Sequence, residues 1–170
     1  MTEDTLEKGD WIVHKQHGVG QIKDVEKKTI GGDIQNYFRV KVSGGVYWLP
    51  TKSIPDYVRS VSSRYRFRKV LNLIKKTPEE LPRDYKIRDK VIAARLSDAT
   101  LEAKGELIRD LFARRHDDQL NMSALNDKQL TELRKQFVRE MVVVLKIKPQ
   151  EAEMKLDKAL QASLLKLKSG

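Results

Sequence analysis

The spacing of the apolar residues changes near residue 58, and no other feature of the sequence restricts the fold as strongly. Before that point, short runs of β-branched and aromatic residues are separated by Gly31-Gly32 and by a second glycine turn at residues 43–45. A Gly-Gly pair between apolar runs is typical of a hairpin, because glycine reaches positive φ without steric cost. After that point glycine is almost absent and the apolar residues recur at helical spacing. We therefore predict an α+β fold, with strands in residues 1–58 and helices in residues 59–170.

The first segment is expected to form a small β-barrel of four or five short strands. Its apolar runs cover Trp11 to His14, Val19 to Thr29, Ile34 to Val42, Val46 to Leu49 and a last short strand near Tyr57. Strands this short and this closely spaced favour a barrel over an extended sheet.

The second segment is predicted to form a bundle of about five helices. In the first helix, four apolar residues fall at i, i+3, i+4 and i+7, which is the period of an amphipathic helix: Phe67, Val70, Leu71 and Ile74. The second helix runs from about Pro82 to Leu96, the third opens at Asp98, Asn126 with Gln129 is interpreted as the N-cap pair of the fourth, and Pro149 starts the fifth.

The formal charge of +10 is carried entirely by the second segment. Residues 1–58 contain 8 basic and 8 acidic side chains and are therefore neutral, whereas residues 59–170 contain 26 basic and 16 acidic ones. Within the latter, residues 59–95 hold 12 basic against 4 acidic residues, a net +8. A basic stretch of this density attracts phosphates through counterion release, and the alternative is an ordinary solvated face. We predict a nucleic-acid contact in this stretch.

Nothing in the sequence predicts secretion or insertion into a membrane. The uncharged apolar runs are far shorter than the roughly 18 to 20 residues of a membrane span, and the first residues are acidic, unlike those of a signal peptide. The chain has no cysteine, which excludes disulfides, thiolate nucleophiles and the usual structural zinc ligands and agrees with a reducing compartment. We expect a cytoplasmic protein.

The search for catalytic and ligand sites finds only weak candidates. His14 and His17 could offer two imidazoles to a metal, but no third ligand of any quality lies nearby in the sequence. His116-Asp117-Asp118 is typical of a helix end entering a loop, where a cationic side chain complements the helix dipole. Gly18 and Gly20 form an incomplete dinucleotide-loop pattern without a following helix. We therefore predict a protein that is not an enzyme and that has no metal and no cofactor.

Several short motifs resemble the CarD family of bacterial transcription regulators. In the first segment they are Gly9-Asp10-Trp11-Ile12-Val13-His14, His17-Gly18-Val19-Gly20-Gln21-Ile22, Thr29-Ile30-Gly31-Gly32, Tyr37-Phe38-Arg39-Val40 and Trp48-Leu49-Pro50. In the second they are Leu81-Pro82-Arg83-Asp84-Tyr85-Lys86, Ile108-Arg109-Asp110-Leu111 and the stretch from Leu130 to Leu145. The first set is similar to the RNA-polymerase-interacting module that the family shares with transcription-repair coupling factors. The resemblance covers nearly the whole chain.

The resemblance implies a protein with two binding functions. Its Tudor-like barrel would dock on the β subunit of RNA polymerase. Its helical domain would contact promoter DNA at the upstream edge of the transcription bubble, where a tryptophan of the family wedges into the minor groove and stabilises the open complex. Carried over by position, the polymerase-facing residues are Lys28 and Trp48, the DNA-facing residues are Arg83 and Lys86, and the candidate wedge is Leu81 with Pro82.

Two of these positions depart from the family pattern. Trp48 stands where an arginine is expected, so an aromatic contact would replace a polar one. Leu81 stands where the wedge tryptophan is expected. Leucine and proline can also insert between base steps, and packing at a helix start is the alternative for Leu81.

Helical geometry adds further DNA-facing candidates. At about 100° per residue, Lys90 falls in one sector of the second helix with the two carried-over cations, between two predicted apolar faces. One face comprises Ile87 and Val91, and the other comprises Tyr85, Ile92 and Leu96. The first helix adds Arg64, Arg68 and Lys69. These cations should mainly neutralise phosphates, so we expect low sequence specificity.

The function predicted from the sequence is non-catalytic regulation of transcription through RNA polymerase and promoter DNA. The protein is expected to be monomeric outside the polymerase complex and to join the nucleoid through polymerase. Two alternatives stay open: a KOW-type protein that binds RNA or associates with the ribosome, and a protein-protein adaptor on polymerase with little DNA activity. Activation and repression are not distinguished, because stabilising an open complex can do either.

Overall fold

The change of pattern near residue 58 corresponds to a change of secondary structure in the computed structural model, which describes residues 5–168. The chain divides into two units, and the boundary between them lies between Val61 and Ser62. The first unit is a five-stranded antiparallel sheet and the second consists of five helices. The predicted α+β class is confirmed. No helix in the described range is both long enough and apolar enough to span a membrane.

The sheet is built from consecutive strands, except at one edge. The strands are β1 (Trp11–His14), β2 (Gly18–Ile30), β3 (Asp33–Val42), β4 (Gly45–Pro50) and β5 (Val58–Ser60). Their order is β4-β3-β2-β1-β5, and every neighbouring pair is antiparallel. The short strands predict a small β-barrel, but within residues 5–61 no pairing joins β4 to β5, so the sheet is not closed.

The two predicted hairpins are present, one at Gly31-Gly32 between β2 and β3 and the other at residues 43–45 between β3 and β4. Gly31 and Gly32 connect β2 to β3 with φ angles of 65° and 88°, values that glycine adopts without strain.

The last strand begins just after Tyr57 and pairs with β1, where Ser60 opposes Ile12. This strand therefore belongs to the first unit, three residues beyond the boundary expected from the sequence.

One face of the sheet forms the core of the first unit. Its buried residues are Ile12, Ile22, Phe38, Val40, Leu49 and Val58. Gly20 packs against this core without room for a side chain, because a Cβ there would lie 2.8 Å from Cγ1 of Val40. The glycine pair that superficially resembles a dinucleotide loop thus serves a turn at Gly18, with a φ of 74°, and a close strand contact at Gly20.

The second unit begins directly after the sheet. Its helices are α1 (Arg64–Ile74), α2 (Tyr85–Leu96), α3 (Leu101–Arg115), α4 (Ala124–Leu145) and α5 (Pro149–Lys168). The stripe predicted for α1 is confirmed, since Phe67, Val70 and Ile74 are buried and Leu71 is half-buried. Pro149 is the first residue of α5, as predicted.

Three helix starts differ from the sequence prediction because other residues cap them. The α3 helix begins at Leu101, with Thr100 as its N-cap, rather than at Asp98. The α2 helix begins at Tyr85 rather than at Pro82, since the Asp84 carboxylate accepts hydrogen bonds from the backbone N–H groups of Lys86 and Ile87 at 3.0 and 3.1 Å. Ser123 caps α4 instead of Asn126. The side chain of Asn126 is fully buried and contacts α2.

Helix packing in the second unit centres on aromatic and small residues. The rings of Phe67 on α1 and Phe137 on α4 lie 5.1 Å apart. Gly105 lets α3 approach α1 closely, because a Cβ at this position would lie 2.8 Å from Cγ1 of Val70. These contacts join α1 to α4 and to α3.

A buried carboxylate fixes that loop. Asp110 on α3 is 1% exposed, and its Oδ1 accepts hydrogen bonds from Nε of Arg109 at 2.9 Å and from the backbone N–H of Glu79 at 3.0 Å. Its Oδ2 forms an ion pair with Nη2 of Arg95 on α2 at 2.9 Å. One side chain therefore joins α2, α3 and the segment that leads to the α2 N-terminus.

We expect Asp110→Asn to lower the free energy of unfolding by about 3 kcal/mol, since removing one partner leaves buried guanidinium charge uncompensated. Asp157→Asn is the matched control, because Asp157 is half-exposed in its ion pair with Arg134 and should cost less than about 1 kcal/mol. Urea unfolding followed by circular dichroism measures both. Equal losses for the two variants would contradict the central role of Asp110.

Candidate interaction surfaces

Four polar and aromatic side chains lie together on the face of the sheet opposite the core. Arg39 on β3 opposes Trp48 on β4 and Asp24 on β2. Glu26 and Lys28 follow Asp24 at two-residue steps, so the pleat places them on the same face. We call Glu26, Lys28, Arg39 and Trp48 the sheet-face cluster.

The contacts within the sheet-face cluster hold the indole of Trp48 in place. The Lys28 ammonium lies 3.2 Å from the centroid of the Trp48 ring, which is a close cation–π contact. The indole N–H of Trp48 donates to Oε2 of Glu26 at 2.9 Å, and Oε1 of Glu26 lies 3.1 Å from Nε of Arg39. Trp48 nevertheless remains 41% exposed. The cluster thus presents an aromatic ring of fixed orientation beside two cations and one carboxylate.

The structure brings together Lys28 and Trp48, the two residues that the family resemblance predicts to face polymerase. Tyr47 next to Trp48 points to the other face and packs against the core, as the alternation of the strand predicts. Sequence reasoning missed Glu26 and Arg39. The alternation of Phe38 and Arg39 was the available signal, because a buried Phe38 directs Arg39 to the outer face.

The two histidines considered as metal ligands belong to an aromatic cluster. The ring of His14 lies 4.4 Å from that of His17, 5.0 Å from that of Tyr47 and 4.9 Å from that of Tyr57. Nδ1 of His14 accepts hydrogen bonds from the backbone N–H groups of Gln16 and His17 at 3.0 and 3.2 Å. This nitrogen is therefore engaged in shaping the turn and is not open to a metal.

Burial shifts the pKa of two members of this cluster. Desolvation, with a smaller contribution from the charge of His17, lowers the pKa of His14. Desolvation also raises the pKa of Tyr47 to about 12. His14 is 8% exposed, and its lowered pKa keeps the imidazole neutral near pH 7. The raised pKa of Tyr47 keeps the phenol neutral at the same pH. His116, the third histidine, ends α3 as predicted, and its Nδ1 lies 3.0 Å from the carbonyl oxygen of Phe112.

In the second unit, a buried arginine fixes the turn that precedes α2. Arg88 is 4% exposed, and its Nη1 donates to the carbonyl oxygens of Pro82 and Arg83 at 3.3 and 2.9 Å. Its Nε donates to Oδ1 of Asn126 at 2.9 Å. The turn is therefore anchored at Glu79 by Asp110 and at Pro82 and Arg83 by Arg88.

The three cations predicted to share one sector of α2 differ in their surroundings. Arg83 precedes the helix and forms an ion pair with Glu80 at 2.7 Å. Hydrogen bonding to Glu80 raises the pKa of Arg83. Lys86 and Lys90 are exposed one helical turn apart, and neither forms an ion pair within residues 5–168. We call Lys86 and Lys90 the α2 lysine edge.

The three candidate cations of α1 also differ in their contacts. Arg64 donates from Nε and Nη2 to the carbonyl oxygens of Val144 and Leu145 at 3.3 and 3.1 Å, so it caps the C-terminus of α4. Arg68 and Lys69 are exposed and have no ion-pair partner in the part of the second unit that the structure describes. Only the latter two have side chains free for an external anion.

The candidate wedge is packed rather than projecting. Leu81 is 5% exposed, whereas Pro82 is half-buried. Insertion of Leu81 between base steps would first require the side chain to leave this packing. Its role as a wedge stays a prediction.

The apolar faces predicted for α2 are confirmed at Ile92 but wrong at Tyr85 and Ile87. Its buried residues are Arg88 and Ile92, whereas Tyr85 is 61% and Ile87 56% exposed. The reason is that a guanidinium with three oxygen acceptors occupies the inner face. The helix is therefore rotated relative to the orientation that apolar spacing alone predicts.

Comparison with known proteins identifies both units. Residues 6–62 match the model of the CarD-like/TRCF RID domain, and residues 69–157 match the model of the CarD C-terminal domain. A protein of Bacillus subtilis (strain 168) named "Putative transcription factor YdeB" is 25% identical over 118 residues, which cover 68% of this chain and 77% of that protein.

We expect the His14 imidazole to titrate below the ordinary value near pH 6.5. The folded state binds the His14 proton more weakly than the unfolded state does. The neutral imidazole therefore contributes its full stabilisation above the unfolded pKa, and this stabilisation is lost as the pH falls from the unfolded pKa through the lower folded pKa. The imidazole Hε1 shift measured by NMR against pH reports the midpoint. A short peptide spanning residues 12–16 is the reference, and a midpoint equal to that of the peptide or higher would contradict the burial argument.

Proposed function

Because the chain belongs to the CarD family of RNA polymerase-interacting transcription factors, we propose that it docks on the polymerase β subunit through the sheet-face cluster and contacts promoter DNA through the start of α2. The DNA contact involves Arg83 and the α2 lysine edge, with Arg68 and Lys69 on α1 as further cations. The DNA segment is the upstream edge of the transcription bubble. The protein acts without catalysis, by changing the stability of the open complex.

The geometry of Trp48 supports the polymerase contact. Tryptophan and arginine are the residues that most often dominate the binding energy of protein interfaces. An indole already held by Lys28 and Glu26 loses little conformational freedom on binding, so less of the contact energy is spent on ordering it. The neighbouring Arg39 adds a planar donor to the same surface. This pre-organised, half-exposed aromatic ring is the observation that carries the proposal.

The state of the cations at the start of α2 supports the DNA contact. The α2 lysine edge is exposed, and two buried side chains fix the turn in front of it. Asp110 accepts a hydrogen bond from the backbone of Glu79, and Arg88 donates to the carbonyl oxygens of Pro82 and Arg83. Asp84, whose negative charge would oppose DNA, is engaged by the N-terminal N–H groups of α2. Lysines on a rigid helix contact phosphates without reading bases, which agrees with low sequence specificity.

One observation favours the adaptor alternative. Several cations of residues 59–95 form internal ion pairs, so the charge available to DNA is smaller than the sequence count of +8. The candidate wedge Leu81 is also buried. A protein that binds polymerase through the sheet and an acidic protein surface through α2 would have the same features. The salt dependence of DNA binding separates the two functions.

For the polymerase contact, we expect Trp48→Ala to weaken binding of the full chain to the purified β-subunit lobe at least tenfold, which is the scale of an interface hot spot. Trp11→Ala is the control, because Trp11 is exposed to a similar degree, 38%, on the different strand β1. Biolayer interferometry with the immobilised lobe measures both. Equal affinities for the Trp48 and Trp11 variants would remove the sheet-face cluster from the interface.

For the DNA contact, we expect Lys86→Gln combined with Lys90→Gln to reduce the slope of log affinity against log salt by about 2, or about 0.9 for each lost phosphate contact. Lys155→Gln combined with Lys158→Gln removes the same charge from the exposed side of α5 and is the control. Fluorescence anisotropy with a promoter fork at several salt concentrations gives the slopes. An unchanged slope for the α2 variant would favour the adaptor, and tighter binding to an RNA hairpin than to promoter DNA would favour the KOW-type alternative.

A further inference from the structure

An exposed aromatic ring lies at the N-terminus of α2. Tyr85 is the first residue of the helix and is 61% exposed, although apolar spacing predicts that it faces the core. Cβ bonds in a helix tilt towards the N-terminus, so a side chain at the first position reaches past the end of the helix. The phenol hydroxyl has no hydrogen-bond partner within residues 5–168. Because the side chain is 61% exposed, much of the ring surface is accessible to a ligand.

The charges around this ring favour an anionic ligand. The Lys86 ammonium lies 5.9 Å from the centroid of the Tyr85 ring, and Lys90 follows one turn later. The nearby carboxylates are engaged, since Asp84 caps the helix and Glu80 pairs with Arg83. A planar aromatic surface beside unpaired cations is the arrangement that binds nucleic acid with unstacked bases, where the cations hold the backbone and the ring stacks on a base.

The surroundings of a second exposed tyrosine differ. Tyr65 on α1 is 76% exposed. Its neighbours in sequence are internally engaged, since Arg64 donates to the end of α4 and Arg66 forms an ion pair with Glu102 at 2.7 Å. Two free cations, Arg68 and Lys69, also follow Tyr65 one turn later on α1. Exposure and nearby charge therefore do not distinguish the two rings. The difference is that a lysine ammonium lies over the Tyr85 ring, whereas within residues 5–168 no cation lies over the ring of Tyr65.

We propose that Tyr85 stacks on an unpaired base of promoter DNA while the α2 lysine edge holds the adjoining phosphates. The inference rests on the proposed DNA contact and adds to it one residue, Tyr85, that would give the protein a preference for a junction between paired and unpaired strands. Stacking on an aromatic ring tolerates any base, because every base has a π face. The preference is therefore for DNA structure and not for sequence.

The test compares two DNAs of equal length and phosphate number, one fully paired and one with an unpaired fork that carries 2-aminopurine at the junction. We expect Tyr85→Ala in the full chain to weaken fork binding about tenfold and duplex binding less than about twofold, from the usual contribution of one stacked base. The variant should also lose the quenching of 2-aminopurine. Tyr85→Phe should behave as the unmodified chain in both measurements, since the ring is kept.

Tyr65→Ala is the matched control and should leave both affinities unchanged. Equal effects of Tyr85→Ala on fork and duplex, or equal effects of the Tyr85 and Tyr65 variants, would overturn the stacking inference. If the double substitution of the α2 lysine edge reduces the salt slope while Tyr85→Ala has no effect, the DNA contact stands and only the stacking is wrong. If neither variant changes binding to either DNA, both proposals fail.

Discussion

The second unit depends on one carboxylate that is almost completely buried. Asp110 joins α3 to Arg95 on α2 and to the backbone of Glu79 in the preceding loop. Burying a charge is costly unless opposite charges and hydrogen bonds compensate it, and here two guanidinium groups and one N–H do so. Because these partners come from separate elements, the same contacts that compensate the charge also set the position of the turn before α2. Arg88 then fixes the end of that turn through two carbonyl groups.

The basic segment of residues 59–95 uses its two kinds of cation differently. Six of its seven arginines contact an acceptor among the described residues, namely Arg59, Arg64, Arg66, Arg83, Arg88 and Arg95. None of its five lysines forms an ion pair there. The planar guanidinium suits several fixed acceptors, whereas the strongly hydrated ammonium remains at the surface. The charge that is available to a partner is therefore better counted from the lysines than from the total.

Much of the fold could be predicted from the sequence because it depends on local signals. Gly31-Gly32 specifies a hairpin, and the spacing of Phe67, Val70 and Ile74 specifies the inner face of α1. The orientation of α2 could not be predicted, since it depends on Arg88 meeting Asn126, a residue 38 positions away in the sequence. The exposure of Tyr85 follows from the same rotation. Lys28 and Trp48 could be selected by resemblance, but their contact depends on strand register, which the motifs do not specify.

The position of the tryptophans has a practical consequence for measurement. The chain has two tryptophans, Trp11 and Trp48, and both lie in the sheet of the first unit. Intrinsic emission excited at the red edge of the absorption band therefore reports on the sheet alone, while the five helices dominate the far-ultraviolet dichroism. Trp48 touches an ammonium and a carboxylate, so its emission responds to events at the outer face of the sheet. The chain thus carries an internal optical label for one of its two units, and the melting of each can be followed without any added dye.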